Sequence, residues 1–580
     1  MDNNELEMKA AEYLGLEQNE YFRNELQQVL DEKDYHDLND RFYTGLSFGT
    51  GGLRGVIGGG YNRMNPFTVR KATQGLADYI NGQLSGGSVV IAYDSRNFSD
   101  LFAKEAALNL CANGIKAAVF SSLRPTPELS YAVRELGATA GIVVTASHNP
   151  PEYNGYKVYW SDGGQITPPH DTGIIGMVKK VKEPKASMSE AEAIDKGMLR
   201  YIDSEIDDKY VDMVKSYFFN PELVKEKGRE LNVVYTPLHG TGTMLVERIL
   251  GECGIEVHTV PEQREPDGDF PTVDFPNPEE ASAMKLAVEL GEKTGADLVL
   301  GTDPDADRLG IAVPDESGKF RLVTGNQLGC LLGDYIFTVL NEQNRMPVNP
   351  RLVKTIVTTD LQRHIAESYN AQSYDVLTGF KYIGEKIKEF ESTGESYVFG
   401  GEESYGYLLE TEVRDKDAVS AAVITAEMAL YDHNRGMSLL DHLNDIYKRF
   451  GYYKEILISK TFKGQAGVEK IKSLMNRLRE ESPAELGMSR VAVIKDYERS
   501  IETETETGAE KKIDLPVSNV LQFVLEDGTI VTARPSGTEP KIKFYASCCA
   551  EKGADLKVAQ TEVEKKLENI SGDIEKLCAE

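Results

Sequence analysis

The sequence predicts an α/β protein of several domains. Short β-branched apolar runs end in polar turns, and helix-prone stretches follow them. The composition is globular, 41% apolar and 27% charged. Near residue 450 the pattern changes to runs that alternate polar and apolar residues. At roughly 150 residues per domain, the 580 residues suit about four domains.

Residues 1 to about 40 are polar and helix-prone, ahead of the glycine-rich stretch FGTGGLRGVIGGG (48–60). Strands are then predicted at SVVIAYDSR (88–96), IKAAVF (115–120), GIVVTASHNP (141–150), LNVVYTPLHG (231–240), DLVLGTDPDADR (297–308), LVKTIVTTD (352–360) and SYVFGGEESYG (396–406). Apolar runs of this length between helices imply parallel sheets, with ligands beyond the carboxyl ends of the strands. Linkers are expected near 184–205, 310–320 and 440–455. ETETETGAEKKID (502–514) reads as a solvated loop. The segment 520–547 reads as antiparallel strands around the turn EDG, and a last helix closes the chain.

The 64 basic and 93 acidic side chains give a net charge of −29. That excludes a general nucleic-acid or anionic-membrane binder, so a phosphate would need a local basic pocket. Six cysteines without a CxxC exclude a disulfide scaffold and read as reduced packing residues. The N-terminus MDNNELEMKAAEYLGLEQNE has no basic start and no apolar core, so no signal peptide is expected. No run of 18 apolar residues occurs. The expected location is the cytoplasm.

Five turns carry candidate chemistry. In TASHNP, Ser147 follows a buried-type strand, with His148 beside it and Lys157 ten residues on. The elbow G-x-S-x-G is absent, which disfavours a serine hydrolase. In GTDPDADR, Asp303, Asp305 and Asp307 alternate and would repel without a cation. Oxygen ligands alone suit a hard ion, Mg2+ or Ca2+, but the EF-hand positions are wrong. Arg308 adds a charge beside them. In GGEESYGY, Glu402 and Ser404 are equipped for sugar hydroxyls, with Arg414 and Lys416 shortly after. In ARPSGTEPKIK, Arg534, Ser536, Thr538 and Lys541 around Gly537 make an anion cradle that is not a Walker loop. In FGTGGLRG, Arg54 sits in a glycine-rich turn. A nucleophilic serine, a hard-metal loop, a polyol-reading turn and a separate anion cradle together imply phosphoryl transfer on a substrate with two phosphate positions.

These motifs, in this order from about Phe48 to Ser547, resemble the α-D-phosphohexomutase superfamily. The resemblance implies four domains around a central cleft: three similar mixed α/β domains and a smaller C-terminal sheet-and-helix domain. The boundaries expected are 1–200, 201–315, 316–450 and 451–580. It implies a phosphoserine at Ser147, and Mg2+ on Asp303, Asp305, Asp307 and the Ser147 phosphate. It places sugar hydroxyls on Glu402 and Ser404, and a distal phosphate on Arg534, Ser536, Gly537 and Thr538, with Lys541 and Arg308 also touching substrate. Arg54, His148 and Lys157 fall near the transferred phosphate. Lys416 lies one residue off the spacing of a catalytic lysine in the glucose-specific branch. Lys157, His148 and Lys416 are the candidate general bases.

The implied reaction interconverts glucose 1-phosphate and glucose 6-phosphate. Glucose 1,6-bisphosphate serves as intermediate and activator. GEESYG resembles the GEESFG loop of phosphoglucomutases; the mannose and glucosamine branches show GEMSGH- or GEQSGH-like loops. RPSGTEP resembles the glucosamine branch, and SHNPPEYNGYKVYW a subgroup with phosphopentomutases and glucose-1,6-bisphosphate synthases. The alternatives are therefore mannose, pentose or bisphosphate-synthase activity and, more distantly, a metal-assisted sugar-phosphate phosphatase. The expected partner is a small sugar phosphate, with no nucleic acid and no membrane. The sequence sets no oligomeric state.

Overall fold

Asp2, Asn19 and Asp34 each place a side-chain oxygen on free N–H groups of a helix start. Three helices follow in the computed structural model, α1 (Asn3–Leu16), α2 (Glu20–Glu32) and α3 (Tyr35–Phe42). Leu6, Tyr13, Leu26, Leu38 and Phe42 close a small core between them. The structure describes residues 1–579 apart from Thr50, Ser85, Lys463 and 537–540, and only the backbone of Gly464 and Gln465. It divides into two units, 1–328 with 380–436, and 329–379 with 437–580. Among the described residues no helix is long and apolar enough to cross a membrane.

In the first unit, β1 (Gly52–Val56), β2 (Ser88–Tyr93), β3 (Lys116–Phe120), β4 (Ala140–Val144), β5 (Tyr153–Trp160) and β6 (Leu199–Ile202) form one sheet in the order β1-β5-β4-β2-β3-β6. β2, β3, β4 and β6 run parallel, and β5 is antiparallel to both β4 and β1. Helices α4 (Pro66–Gln83), α5 (Ser99–Ala112) and α6 (Thr126–Glu135) separate the strands. Every residue of β4 is buried, which explains its unbroken apolar run. Val89, Ile91, Ile142, Val144, Leu76 and Phe102 share the core. Each such side chain contributes roughly 1.5–3 kcal/mol. The single tryptophan, Trp160, ends β5 and stacks on His170 at 4.2 Å.

A second sheet holds β7 (Asn232–Thr236), β8 (Glu256–Thr259), β9 (Leu298–Thr302), β10 (Leu309–Pro314) and β11 (Phe320–Val323) in the order β11-β10-β9-β7-β8. β7, β8 and β9 are parallel; β9, β10 and β11 are antiparallel. GTDPDADR thus closes a hairpin and does not lead into a helix. The linker expected near 310–320 is part of that antiparallel ribbon.

The chain then enters the second unit, where β12 (Pro350–Thr355) and β13 (Gln372–Val376) pair in parallel. Lys354 is buried there and pairs with Asp360 at 2.8 Å and Asp375 at 3.0 Å. Arg363 pairs with the same two acids. The first unit resumes with the hairpin β14 (Ser396–Glu402) and β15 (Gly406–Leu408), followed by the helix Ala418–Asn434.

The rest of the second unit is a meandering sheet. It holds β16 (Tyr453–Thr461), β17 (Glu485–Leu486), β18 (Ser489–Asp496), β19 (Ile501–Glu504), β20 (Glu510–Lys512), β21 (Leu521–Leu525), β22 (Ile530–Pro535) and β23 (Lys541–Cys549). Its order is β16-β23-β22-β21-β18-β19-β20, with β17 on β18. Two expectations are corrected. Residues 502–514 are not a plain loop: β19 and β20 form an exposed hairpin in which Glu502 faces Lys511. Opposite charges across strands stabilise it where apolar residues are lacking. The linker near 440–455 is mostly the helix Leu439–Phe450, begun by a Ser438–Asp441 capping box.

Candidate active site

Four of the five predicted motifs meet in the first unit, Arg54 among them on strand β1 and not in a turn. The turn between β9 and β10 buries Asp303, Asp305 and Asp307 almost completely, and one oxygen from each lies within 4.8 Å of the others. At that separation each pair of unscreened charges repels by about 4 kcal/mol at a protein-like dielectric. Asp303 accepts the N–H groups of Asp307 and Arg308, both at 3.0 Å. Burial, and then the facing Asp305 and Asp307, push its carboxyl well above the usual range. Burial also raises Asp305, but the Lys157 ammonium outweighs it and holds that carboxyl below its usual range. Asp305 Oδ1 and Asp307 Oδ1 are buried without a hydrogen-bond partner. Two orphaned carboxylate oxygens in an all-oxygen donor set fit a hard divalent cation.

The turn is shaped from behind. Ala306 takes a left-handed φ of 49°, a conformation that costs a non-glycine residue about 1–2 kcal/mol. Its carbonyl caps the N–H of Ala418 at 3.1 Å. Thr241 donates its N–H to the Pro304 carbonyl at 2.8 Å. A Cβ on Gly240 would lie 2.4 Å from Pro304 Cα, so that approach admits only glycine.

Ser147 follows β4 with φ 53° and is 4% exposed. Its hydroxyl donates to Asp303 Oδ2 at 2.7 Å and lies 3.1 Å from His148 Nδ1. Burial, and then the charges of Arg308 and Arg54, hold the His148 imidazole well below its usual proton affinity. Lys157 reaches the same turn because β5 folds back on β4, pairing Lys157 with Val143. Its ammonium lies 2.8 Å from Asp305 and 3.6 Å from Asp307. On β1, Gly52 pairs with Lys157 and Arg54 with Gly155, so Arg54 shares the Lys157 face.

Lys416 completes the cluster, 3.0 Å from both Asp307 and Asp415. Burial lowers each lysine, but the carboxylates outweigh it and keep both protonated. A Cβ on Gly406 would lie 2.1 Å from Lys416 Cδ, so the glycine of GEESYG is the space the lysine stem occupies. Arg308 donates to the Ser404 carbonyl at 3.0 Å, tying the acidic turn to the β14–β15 turn. Glu402, 7% exposed, ends β14. Arg414 points elsewhere: its guanidinium bonds Glu391 and its N–H bonds Ser130.

The Arg534 turn belongs to the second unit. Arg534 is the penultimate residue of β22, Lys541 begins β23, and the Ser536 N–H donates to the Lys541 carbonyl at 2.7 Å. Gly537 and Thr538 lie outside the described residues.

Comparison with known proteins covers most of the chain. The models of phosphoglucomutase/phosphomannomutase α/β/α domains I, II and III match residues 45–185, 208–318 and 324–450, and that of the C-terminal domain matches 474–565. A phosphoglucomutase of Staphylococcus saprophyticus is 38% identical over 525 residues, covering 89% of this chain and 94% of its own. The chain belongs to the phosphoglucomutase/phosphomannomutase family. A human phosphopentomutase is 35% identical over 571 residues, covering 94% of this chain and 92% of its own. Two solved structures share the fold. A putative phosphomannomutase from Thermus thermophilus has a TM-score of 0.66 at 20% identity, covering 92% of this chain and 99% of its own. The open form of a Paramecium phosphoglucomutase, parafusin, has 0.68 at 18%, covering 93% and 96%. The family's four domains, three of them mixed α/β, account for the sheets described above.

Sequence reasoning missed several residues around the acidic and Ser147 turns. Thr126, at the start of α6, donates its hydroxyl to Asp305 Oδ2 at 2.9 Å. Arg96 and Asp94 stand behind the Ser147 turn. The only available signal was the polar end of SVVIAYDSR, one strand over from the serine.

Proposed function

We propose that the chain is a phosphoglucomutase that shuttles a phosphoryl group through Ser147. The observation that carries this reading is the Ser147 hydroxyl, 2.7 Å from Asp303 at the edge of a buried three-carboxylate turn with orphaned oxygens. The relatives named phosphoglucomutase and the glycine of GEESYG support glucose as the sugar. Asp303, Asp305 and Asp307, with the Ser147 phosphate, would hold Mg2+, which supplies charge neutralisation to the phosphoryl group. Lys157 and Lys416 stay cationic and add to that neutralisation, with Arg54 on the same face as Lys157. As the phosphoryl group passes to the sugar, the proton lost by the attacking hydroxyl balances the one taken up by Ser147 Oγ, and His148, kept neutral and 3.1 Å from Oγ, is placed to relay it. Glu402 and Ser404 are assigned to the sugar hydroxyls. The phosphate that does not react is assigned to the Arg534 turn, from its guanidinium, hydroxyl and ammonium groups alone. Glucose 1,6-bisphosphate forms when Ser147 gives up its phosphoryl group, and its other phosphate restores the phosphoserine.

The test is turnover on the 1-phosphates of glucose, mannose, N-acetylglucosamine and ribose, each with Mg2+ and a trace of the matching bisphosphate. Isomer and free phosphate are both followed. Glucose 1-phosphate should convert fastest, with little free phosphate. Ribose 1-phosphate converting fastest would make this a phosphopentomutase, the activity named for the human relative. Free phosphate as the main product would overturn the mutase reading.

A further inference from the structure

We propose that Asp94 and Arg96, at the carboxyl end of β2, are positioning residues that hold Ser147 in its left-handed conformation with the hydroxyl on Asp303. The role assumes the phosphoryl transfer through Ser147 proposed above; the contacts stand without it.

Ser147 is gripped through its backbone on both sides. Its N–H donates to Thr145 Oγ1 at 2.8 Å, and the Thr145 hydroxyl donates to Asp94 Oδ2 at 2.6 Å. Its carbonyl accepts Arg96 Nη2, which also donates to the Asn149 carbonyl. Arg96 Nη1 donates to the carbonyls of Pro150 at 2.8 Å and Tyr153 at 3.0 Å. One guanidinium therefore collects four carbonyls of a seven-residue turn, an arrangement possible only when the turn curves around it. Asp94 fixes the arginine: its Oδ1 accepts the Arg96 N–H at 3.0 Å and the Ser99 hydroxyl at 2.8 Å, and its Oδ2 lies 3.4 Å from Arg96 Nε. The Phe270 ring covers the guanidinium at 4.9 Å. Asp94 and Arg96 are each 2% exposed.

Such a fan of acceptors suits a planar fork and not an ammonium group. Neither side chain hydrogen-bonds the Ser147 hydroxyl, so both act through the backbone. The remote grip matters because a nucleophile displaced by about 1 Å loses on the order of 100-fold in rate.

The test uses the full chain with Arg96→Lys, Thr145→Val and Thr145→Ser. It reads kcat and KM for glucose 1-phosphate with Mg2+ and glucose 1,6-bisphosphate, and amide hydrogen exchange of residues 145–153. Arg96→Lys and Thr145→Val should each lower kcat about 100-fold with KM within about threefold. Exchange in 145–153 should rise about tenfold while that of β3 stays unchanged. Thr145→Ser, which keeps the hydroxyl, should restore both readouts; Thr145→Val also covers the case in which Arg96→Lys does not fold. A kcat within about threefold of the parent in both Arg96→Lys and Thr145→Val would overturn the proposal. So would unchanged exchange in 145–153, equal loosening of β3, or a Thr145→Ser variant as impaired as Thr145→Val. If the parent turns over no sugar 1-phosphate, the proposed activity fails, and the exchange pattern alone decides whether these residues hold the turn.

Discussion

Each unit buries lysine among carboxylates, and the two clusters differ in balance. Around Lys354, two cations, Lys354 and Arg363, face two anions, Asp360 and Asp375. In the first unit Asp303, Asp305, Asp307 and Asp415 meet Lys157, Lys416 and, at 3.9 Å, Arg308. Among the described residues Asp303 has no basic group within ion-pair distance. In the first of these clusters, around Lys354, the formal charges balance, two against two. The unbalanced one holds a deficit of positive charge that a bound cation would fill.

Asp305→Asn should break this contrast most. Mg2+-dependent kcat should fall by at least about 10,000-fold, or about 5 kcal/mol, with a smaller loss of thermal stability because Lys157 loses its buried partner at 2.8 Å. Lys354→Met should do the reverse: it should destabilise the second unit by about 3–5 kcal/mol, with turnover falling only as the folded fraction falls. Unfolding and turnover measured side by side check both.

Glu455 sharpens the comparison through pH. Burial raises its carboxyl to about 7. A carboxyl raised in the folded state contributes its stability below its unfolded pKa and loses it as pH rises. The second unit should therefore lose up to about 3 kcal/mol between pH 5 and pH 8 at this group, and Glu455→Gln should flatten that slope in denaturant titrations. The smallest effect is expected from Gly406→Ala. Its methyl group would displace Lys416 from Asp307 and lower kcat about tenfold, or about 1.4 kcal/mol, with little change in melting temperature.

The acidic turn and the Ser147 turn were legible in the sequence because each ends a continuous apolar strand in polar residues of unusual density. The grip on Ser147 was not. Arg96 and its acceptors are separated by 51 to 57 residues, joined only by β2 and β4 lying side by side. The hairpin after Asp303 was hidden for another reason: an acidic turn after a strand also looks like the cap of a helix. The β19–β20 pair was hidden because its facing residues, Ile501 apart, are polar or charged, so no apolar alternation marks the strands.

Trp160 gives the molecule an optical asymmetry. It is the chain's single indole, so emission excited at the red edge of protein absorption comes from the first unit alone, and the second unit is dark. His170 stacks on that indole at 4.2 Å, and burial, then Lys388, lowers its proton affinity. An imidazolium quenches indole light, so dimming on acidification should begin below the usual histidine range. The disappearance of this stacked pair marks the melting of the serine-bearing unit without any added label.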